Sequence, residues 1–155
     1  MKMNKLFSLL AACSLLLPCL SSCEDTPDIE FKDYYVAFNP DASGPTRILC
    51  TGAETDIYVV HLCSTTPDAP VTVTYSVTAD GLEEGVDYRL ESASRTIRFL
   101  PGIFYQRITV HWLSHALSAD GTLTFRLEDV DADLVLGYPG PAGKNRSLTI
   151  TKYKP

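Results

Sequence analysis

Residues 71–78, Val71-Thr72-Val73-Thr74-Tyr75-Ser76-Val77-Thr78, alternate apolar and polar without a break. In an extended chain successive side chains point to opposite faces, so this run predicts a strand with Val71, Val73, Tyr75 and Val77 toward a core and the hydroxyls toward water. The pattern recurs as Ile97 and Phe99 around Arg98, as Ile108, Val110 and Trp112 between Arg107, Thr109 and His111, and as Leu123, Phe125 and Leu127 between Thr124 and Arg126. Leu148 and Ile150 repeat it near the end of the chain. Residues 34–38 and 57–62 are rich in aromatic and β-branched side chains and also read as strands.

Turn chemistry separates these runs. Asn39-Pro40-Asp41, Pro67-Asp68, Ala79-Asp80-Gly81, Pro101-Gly102, Asp120-Gly121 and Pro139-Gly140-Pro141 each combine a φ fixed by Pro or freed by Gly with side chains that bond their own backbone. No segment carries a helix of useful length. About seven to nine short strands, with turns every ~8–12 residues, predict an all-β fold: a single immunoglobulin-like antiparallel β-sandwich. Polar residues at alternate positions indicate antiparallel strands with one wet face.

The first residues follow a different rule. Lys2 and Lys5 precede an apolar run from Leu6 to Leu20, shorter than the ~20 residues of a spanning helix, and Leu20-Ser21-Ser22-Cys23 follows it. This layout resembles the lipobox of bacterial lipoproteins, where cleavage before the cysteine leaves a residue that is then acylated. Cleavage at Cys13 would leave too short an apolar region, and Pro18 before Cys19 is a poor cleavage residue. The predicted organisation is a cleaved signal peptide over residues 1–22, a lipidated Cys23 with an acidic tether over 23–32, and a sandwich over 33–155. Several acyl chains on Cys23 supply the two or more hydrophobic signals that stable membrane anchoring needs. Glu24 and Asp25 directly after the anchor resemble the export tags of surface lipoproteins, so an outer-membrane protein displayed at the cell surface is expected, with the periplasmic face as the alternative.

Charge and cysteines narrow the picture further. The 155 residues carry a formal charge of -6, and loss of Lys2 and Lys5 leaves 11 basic residues against 19 acidic ones, or -8. Such a chain repels phosphate backbones, and no basic cluster offsets the repulsion, which excludes nucleic acid as a partner. Cys50 and Cys63 are the only thiols after Cys23. If both lie on one strand beginning near Asp56, they stand further apart than the ~7 Å a disulfide allows, and two buried thiols are expected.

The segment from Val73 to Gly81, then Gly85-Val86-Asp87-Tyr88, Ile97-Arg98-Phe99-Leu100-Pro101-Gly102 and Ile108-Thr109-Val110, resembles the Calx-beta domain. The resemblance is close over residues 71–110 and loose over 34–153. It implies a seven-stranded sandwich, and in the sodium–calcium exchanger such domains bind calcium through clustered carboxylates at one end. Here Glu54, Asp80 and Asp133 are the weak candidate ligands. The acidic run that follows the Ile108–Trp112 strand in calcium-binding members is replaced by Leu113-Ser114-His115-Ala116-Leu117-Ser118. Calcium takes about six to eight oxygens, so no metal and no cofactor is expected. Asp129, Asp131 and Asp133 lack the glycine and closing glutamate of a calcium loop and read as a solvated connection.

No catalytic constellation is visible. His61 and His111 sit between core-facing neighbours on separate strands, His115 lies in a loop, and Glu83-Glu84 occupy a hydrophilic turn. Trp112 falls on the core face. Tyr105, Tyr138 and Tyr153 are the tyrosines expected to be exposed, and the loop carrying Tyr138, Pro139 and Gly140 is the expected contact site. The sequence therefore predicts a non-catalytic envelope lipoprotein, held by its lipid anchor, with an interaction or scaffold domain for another envelope protein or a glycan.

Overall fold

The computed structural model describes residues 34–155; Cys23, the leader before it and the tether after it lie outside them. Ten strands follow in chain order. They are β1 (Tyr35–Asn39), β2 (Arg47–Leu49), β3 (Thr55–Cys63), β4 (Val71–Asp80), β5 (Tyr88–Leu90), β6 (Thr96–Phe99), β7 (Tyr105–Trp112), β8 (Gly121–Val130), β9 (Val135–Leu136) and β10 (Ser147–Tyr153). Asn39-Pro40-Asp41 becomes a single 3-10 turn over Pro40–Ala42, in which the Asn39 side chain accepts from the Asp41 amide.

The strands form two five-stranded sheets, ordered β5-β7-β3-β1-β9 and β2-β10-β8-β4-β6. Every long pairing is antiparallel, as the alternation requires. Two short edge pairings depart from that expectation: β9 lies parallel to β1 and β2 parallel to β10. Each joins strands far apart in the chain, so the intervening strands themselves make the long connection that parallel pairing requires. Seven strands coincide with the patterned runs, and β2, β5 and β9 are additional.

The inner faces interdigitate as the period of two demands. Val36, Phe38, Tyr58, Val60, Leu62, Ile108, Val110 and Trp112 from the first sheet meet Val73, Ile97, Phe99, Leu123, Phe125 and Ile150 from the second. Each fully buried aliphatic or aromatic side chain contributes about 1.5–3 kcal/mol. The polar tips inside are satisfied: Trp112 Nε1 donates to Asp56 Oδ2 at 3.0 Å, and the Tyr58 hydroxyl donates to the Pro45 carbonyl at 2.9 Å.

The expected placement of the cysteines needs correction. Cys50 is buried just after β2, whereas Cys63 is exposed at the end of β3, in the other sheet. A tight turn, closed by the Gly52 amide on the Leu49 carbonyl at 2.8 Å, separates β2 from β3, so the two thiols never share a strand. Both are free.

Candidate functional site

The candidate calcium ligands do not come together. Asp80 closes β4 opposite Thr122, near the start of β8. Asp133 lies in the connection after β8, where the Asp131 amide bonds the Thr72 carbonyl at 3.1 Å near the start of β4. Eight residues of strand separate these ends, about 26 Å. Glu54 precedes β3, and its carbonyl accepts the Trp112 amide at 2.8 Å. Among the described residues, no group of three or more His, Cys, Asp or Glu side chains converges as metal ligands would. Asp131 is a clamp on the strand pair, since its Oδ1 accepts the Thr72 amide at 2.7 Å.

A charged cluster that the sequence does not reveal lies within the fold. Lys152 continues the inward parity of Leu148 and Ile150 and is 0 % exposed. Its Nζ donates to the Leu113 carbonyl at 2.8 Å, the Asp87 carbonyl at 3.1 Å and Asp87 Oδ1 at 3.2 Å. Asp87, also buried, accepts the Glu83 amide on Oδ2 and His115 Nδ1 on Oδ1, each at 2.9 Å. Burial alone would raise the Asp87 pKa. The bonds from Glu83, His115 and Lys152 outweigh it and hold the carboxyl below its ordinary value. The cluster pins the Gly85-Val86-Asp87-Tyr88 corner to β10 and to the segment after β7. Its acceptors are used internally, which suits a structural role.

The outer face of the first sheet is different in kind. The outward positions of β1, β3 and β7 include Tyr35, His61 and Tyr105, and register sets Ala37 opposite His61 and His61 opposite Tyr105. Tyr138 joins them from the loop after β9. The Gly137 amide bonds the Val36 carbonyl at 2.8 Å and the Tyr138 amide bonds the Lys144 carbonyl at 2.7 Å, which folds this loop back along the sheet. Gly137 is required there, with φ +88 and room for no Cβ: one would lie 2.7 Å from the Gly143 carbonyl oxygen.

The four rings pack edge to face or tilted. Tyr35 meets Tyr138 at 5.3 Å and His61 at 5.4 Å between centroids, and His61 meets Tyr138 at 5.9 Å and Tyr105 at 6.3 Å. Ala37 points to the same face and is fully buried, so its larger neighbours cover it. Tyr105 stands at the rim, 62 % exposed. Burial lowers the His61 pKa, and its Nδ1 is enclosed without a hydrogen-bond partner. The imidazole is therefore neutral at pH 7 and acts as a flat ring. Tyr35 is held above its ordinary pKa by burial first and by Cys63 beside it second.

The expected contact residues divide across this patch. Tyr105 is the exposed ring, Tyr138 is half-buried within the cluster, and Pro139 and Gly140 continue away from it, Gly140 being exposed. Tyr153 lies on the other sheet, with the Arg47 guanidinium 4.8 Å over its ring. Tyr35 and His61 were not singled out as contact residues. Their outward parity was legible, but their adjacency depends on strand register. A cleft of about 230 Å³ opens between β6 and β7, lined among others by Tyr75, Glu91, Arg98, Gln106 and Arg107.

No protein-family model matches the chain, and no curated protein matches it. Solved structures do. The chain is similar to CBD12 from CALX1.2, with a TM-score of 0.58 and 16% identity over 77% of this chain and 45% of that one. It is similar to the calcium binding domain CBD12 of CALX1.1, with a TM-score of 0.56 and 16% identity over 77% and 44% of the two chains. The apo-form Calx CBD1 domain aligns with a TM-score of 0.50 and 15% identity, over 78% of this chain and 99% of that domain. The chain thus spans less than half of the two CBD12 structures and nearly all of the CBD1 domain. At these identities the likeness is one of fold, and it agrees with the Calx-beta-like sandwich expected from the motifs.

Proposed function

We propose that this chain is a non-catalytic lipoprotein of the bacterial envelope, anchored through Cys23, whose sandwich is an interaction domain that meets its partner with the outer face of the first sheet. The observation that carries this reading is the ring cluster of Tyr35, His61, Tyr105 and Tyr138 on a face that faces solvent. An exposed aromatic patch on a small domain is the usual mark of a contact surface. The acidic tether favours display at the cell surface. A scaffold role agrees with the use of Asp87, His115 and Lys152 in holding the fold.

A binding module for a glycan or peptide is the second reading, and the same patch favours it. One structural neighbour is a calcium binding domain, but Asp80 and Asp133 of this chain stand at opposite ends of β4 and β8, which gives no support to calcium stiffening here.

Two measurements test the proposal in cells that make the full chain. Cys23→Ser should release the protein from the membrane fraction and abolish labelling by a palmitate analogue. A photo-crosslinking residue at position 105 should give a discrete adduct in the native envelope, while one at Thr124, on the outer face of the second sheet, should not. Equal adducts at both positions, or none at either, would refute the assignment of the face.

A further inference from the structure

We infer that the outer face of the first sheet binds an acidic glycan, a polymer bearing uronate carboxylates, with a sugar ring stacked on Tyr105 and a carboxylate held by Arg107. The inference rests on the interaction-domain reading and specifies its ligand.

The surface itself selects the chemistry. On this face the backbones of β1, β3 and β7 are already paired to one another over Tyr35–Asn39, Thr55–Cys63 and Tyr105–Trp112. An extended peptide recognised through main-chain hydrogen bonds needs a free sheet edge, and a face offers only side chains. The side chains offered are tyrosine rings, a neutral imidazole and guanidinium groups. The flat apolar C–H face of a pyranose fits the open side of an exposed tyrosine ring, while hydroxyls reach the phenols around it.

The charge on the face then separates acidic from neutral sugars. Arg107 is exposed two residues along β7 from Tyr105, on the same side and about 7 Å away along the strand. Arg89 is exposed on β5, opposite His111. No outward position of the strands in this sheet carries a carboxylate: Asp56, the acidic residue within β3, turns inward to Trp112. Glu91 follows β5 at the level of Thr109, two positions along β7 from Arg107, and lines the same cleft as Arg107, four positions from Tyr105. Among the described residues neither Arg89 nor Arg107 has a carboxylate within ion-pair distance. In a chain of net charge -6, a sheet face whose strands present Arg89 and Arg107, set against Glu91 just beyond β5, carries a local excess of positive charge and is complementary to an anion. The planar guanidinium matches a carboxylate in two-point geometry.

The test uses the full-length lipoprotein purified in mild detergent and affinity electrophoresis through gels containing polygalacturonate, its methyl ester, dextran or polyglutamate. Polygalacturonate should retard the protein, and the methyl ester and dextran should not. Tyr105→Ala and Arg107→Gln should each weaken retardation by about tenfold or more, equivalent to ~1.4 kcal/mol, while Tyr105→Phe keeps it. Both positions are exposed, and unchanged melting curves would show that the variants fold. No retardation by polygalacturonate, equal retardation by its ester or by polyglutamate, or indifference to Tyr105→Ala would overturn the inference. A protein adduct at position 105 without polygalacturonate binding would sink the glycan and leave the interaction face standing; absence of both would sink the two together.

Discussion

Lys152→Met is the sharpest test of what holds this sandwich closed. Methionine nearly matches the aliphatic stem of lysine, so the variant removes the ammonium while keeping most of the packing. Three acceptors then lose their donor: the Leu113 carbonyl at 2.8 Å, the Asp87 carbonyl at 3.1 Å and the Asp87 carboxylate at 3.2 Å. Removing one partner of a buried ion pair costs about 3–5 kcal/mol, because the other charge stays buried. Asp87 keeps the Glu83 amide and His115, which places the cost near the lower end, about 3 kcal/mol. With a urea slope of about 2 kcal/mol/M, the midpoint should fall by about 1.5 M at unchanged slope. Fluorescence of the buried Trp112 follows the transition in a soluble Cys23→Ser chain. A fall of less than about 0.5 M would mean that the pair contributes roughly 1 kcal/mol or less, and the cluster could not be the clamp described above.

The same cluster sets a pH dependence. The folded Asp87 pKa is depressed, so its stabilisation is present above the unfolded value of about 3.9 and is lost as pH falls through the folded one. Lys152→Met removes part of that depression, and its stability should fall less steeply than that of the parent below about pH 4, as read from urea midpoints across acid pH. Asp56 has the opposite sign: burial raises its pKa, so ionisation costs stability as pH rises. Asp56→Asn keeps an acceptor for Trp112 Nε1 and should be more stable than the parent at pH 7, with the difference vanishing at pH 3; a less stable variant at pH 7 would contradict this. Gly137→Ala forces a side chain into a left-handed turn and against two backbone carbonyls, and should cost about 2 kcal/mol while displacing Tyr138 from the patch, seen as loss of near-ultraviolet tyrosine dichroism. Thermal melts with excess calcium and with chelator should coincide, whereas a native-state ligand at a hundredfold excess over its Kd would add about 2.7 kcal/mol.

Seven of the ten strands were legible, β4, β6, β7, β8 and β10 because the period of two repeats along them and β1 and β3 through their aromatic and β-branched content, and most of the core follows from the same parity. β2, β5 and β9 span three, three and two residues, too short to show any period, and they form only because longer neighbours offer an edge. Cys50 was misplaced for that reason: without β2, nothing in the pattern separates it from the strand that ends at Cys63. Lys152 fails in another way. Parity puts it inside with Leu148 and Ile150, but a lysine at the end of a strand reads as the point where burial stops. Only the tertiary meeting of β10 with the Asp87 corner supplies three acceptors and makes burial tolerable.

The aromatic face marks the boundary between what parity and register each determine. Parity turns Tyr35, His61 and Tyr105 outward one strand at a time. Register then sets Tyr35 opposite Cys63 and His61 opposite Tyr105, and those offsets depend on the path of the chain between strands. A slip of one residue in β3 against β7 would turn Tyr58, Val60 and Leu62 to water and His61 to the core. The buried side of β3 therefore fixes the register of its exposed side, and with it the backbone positions of Tyr35, His61 and Tyr105. A contact surface built this way needs no ordering of a mobile loop on binding, apart from the segment that Gly137 folds back to deliver Tyr138.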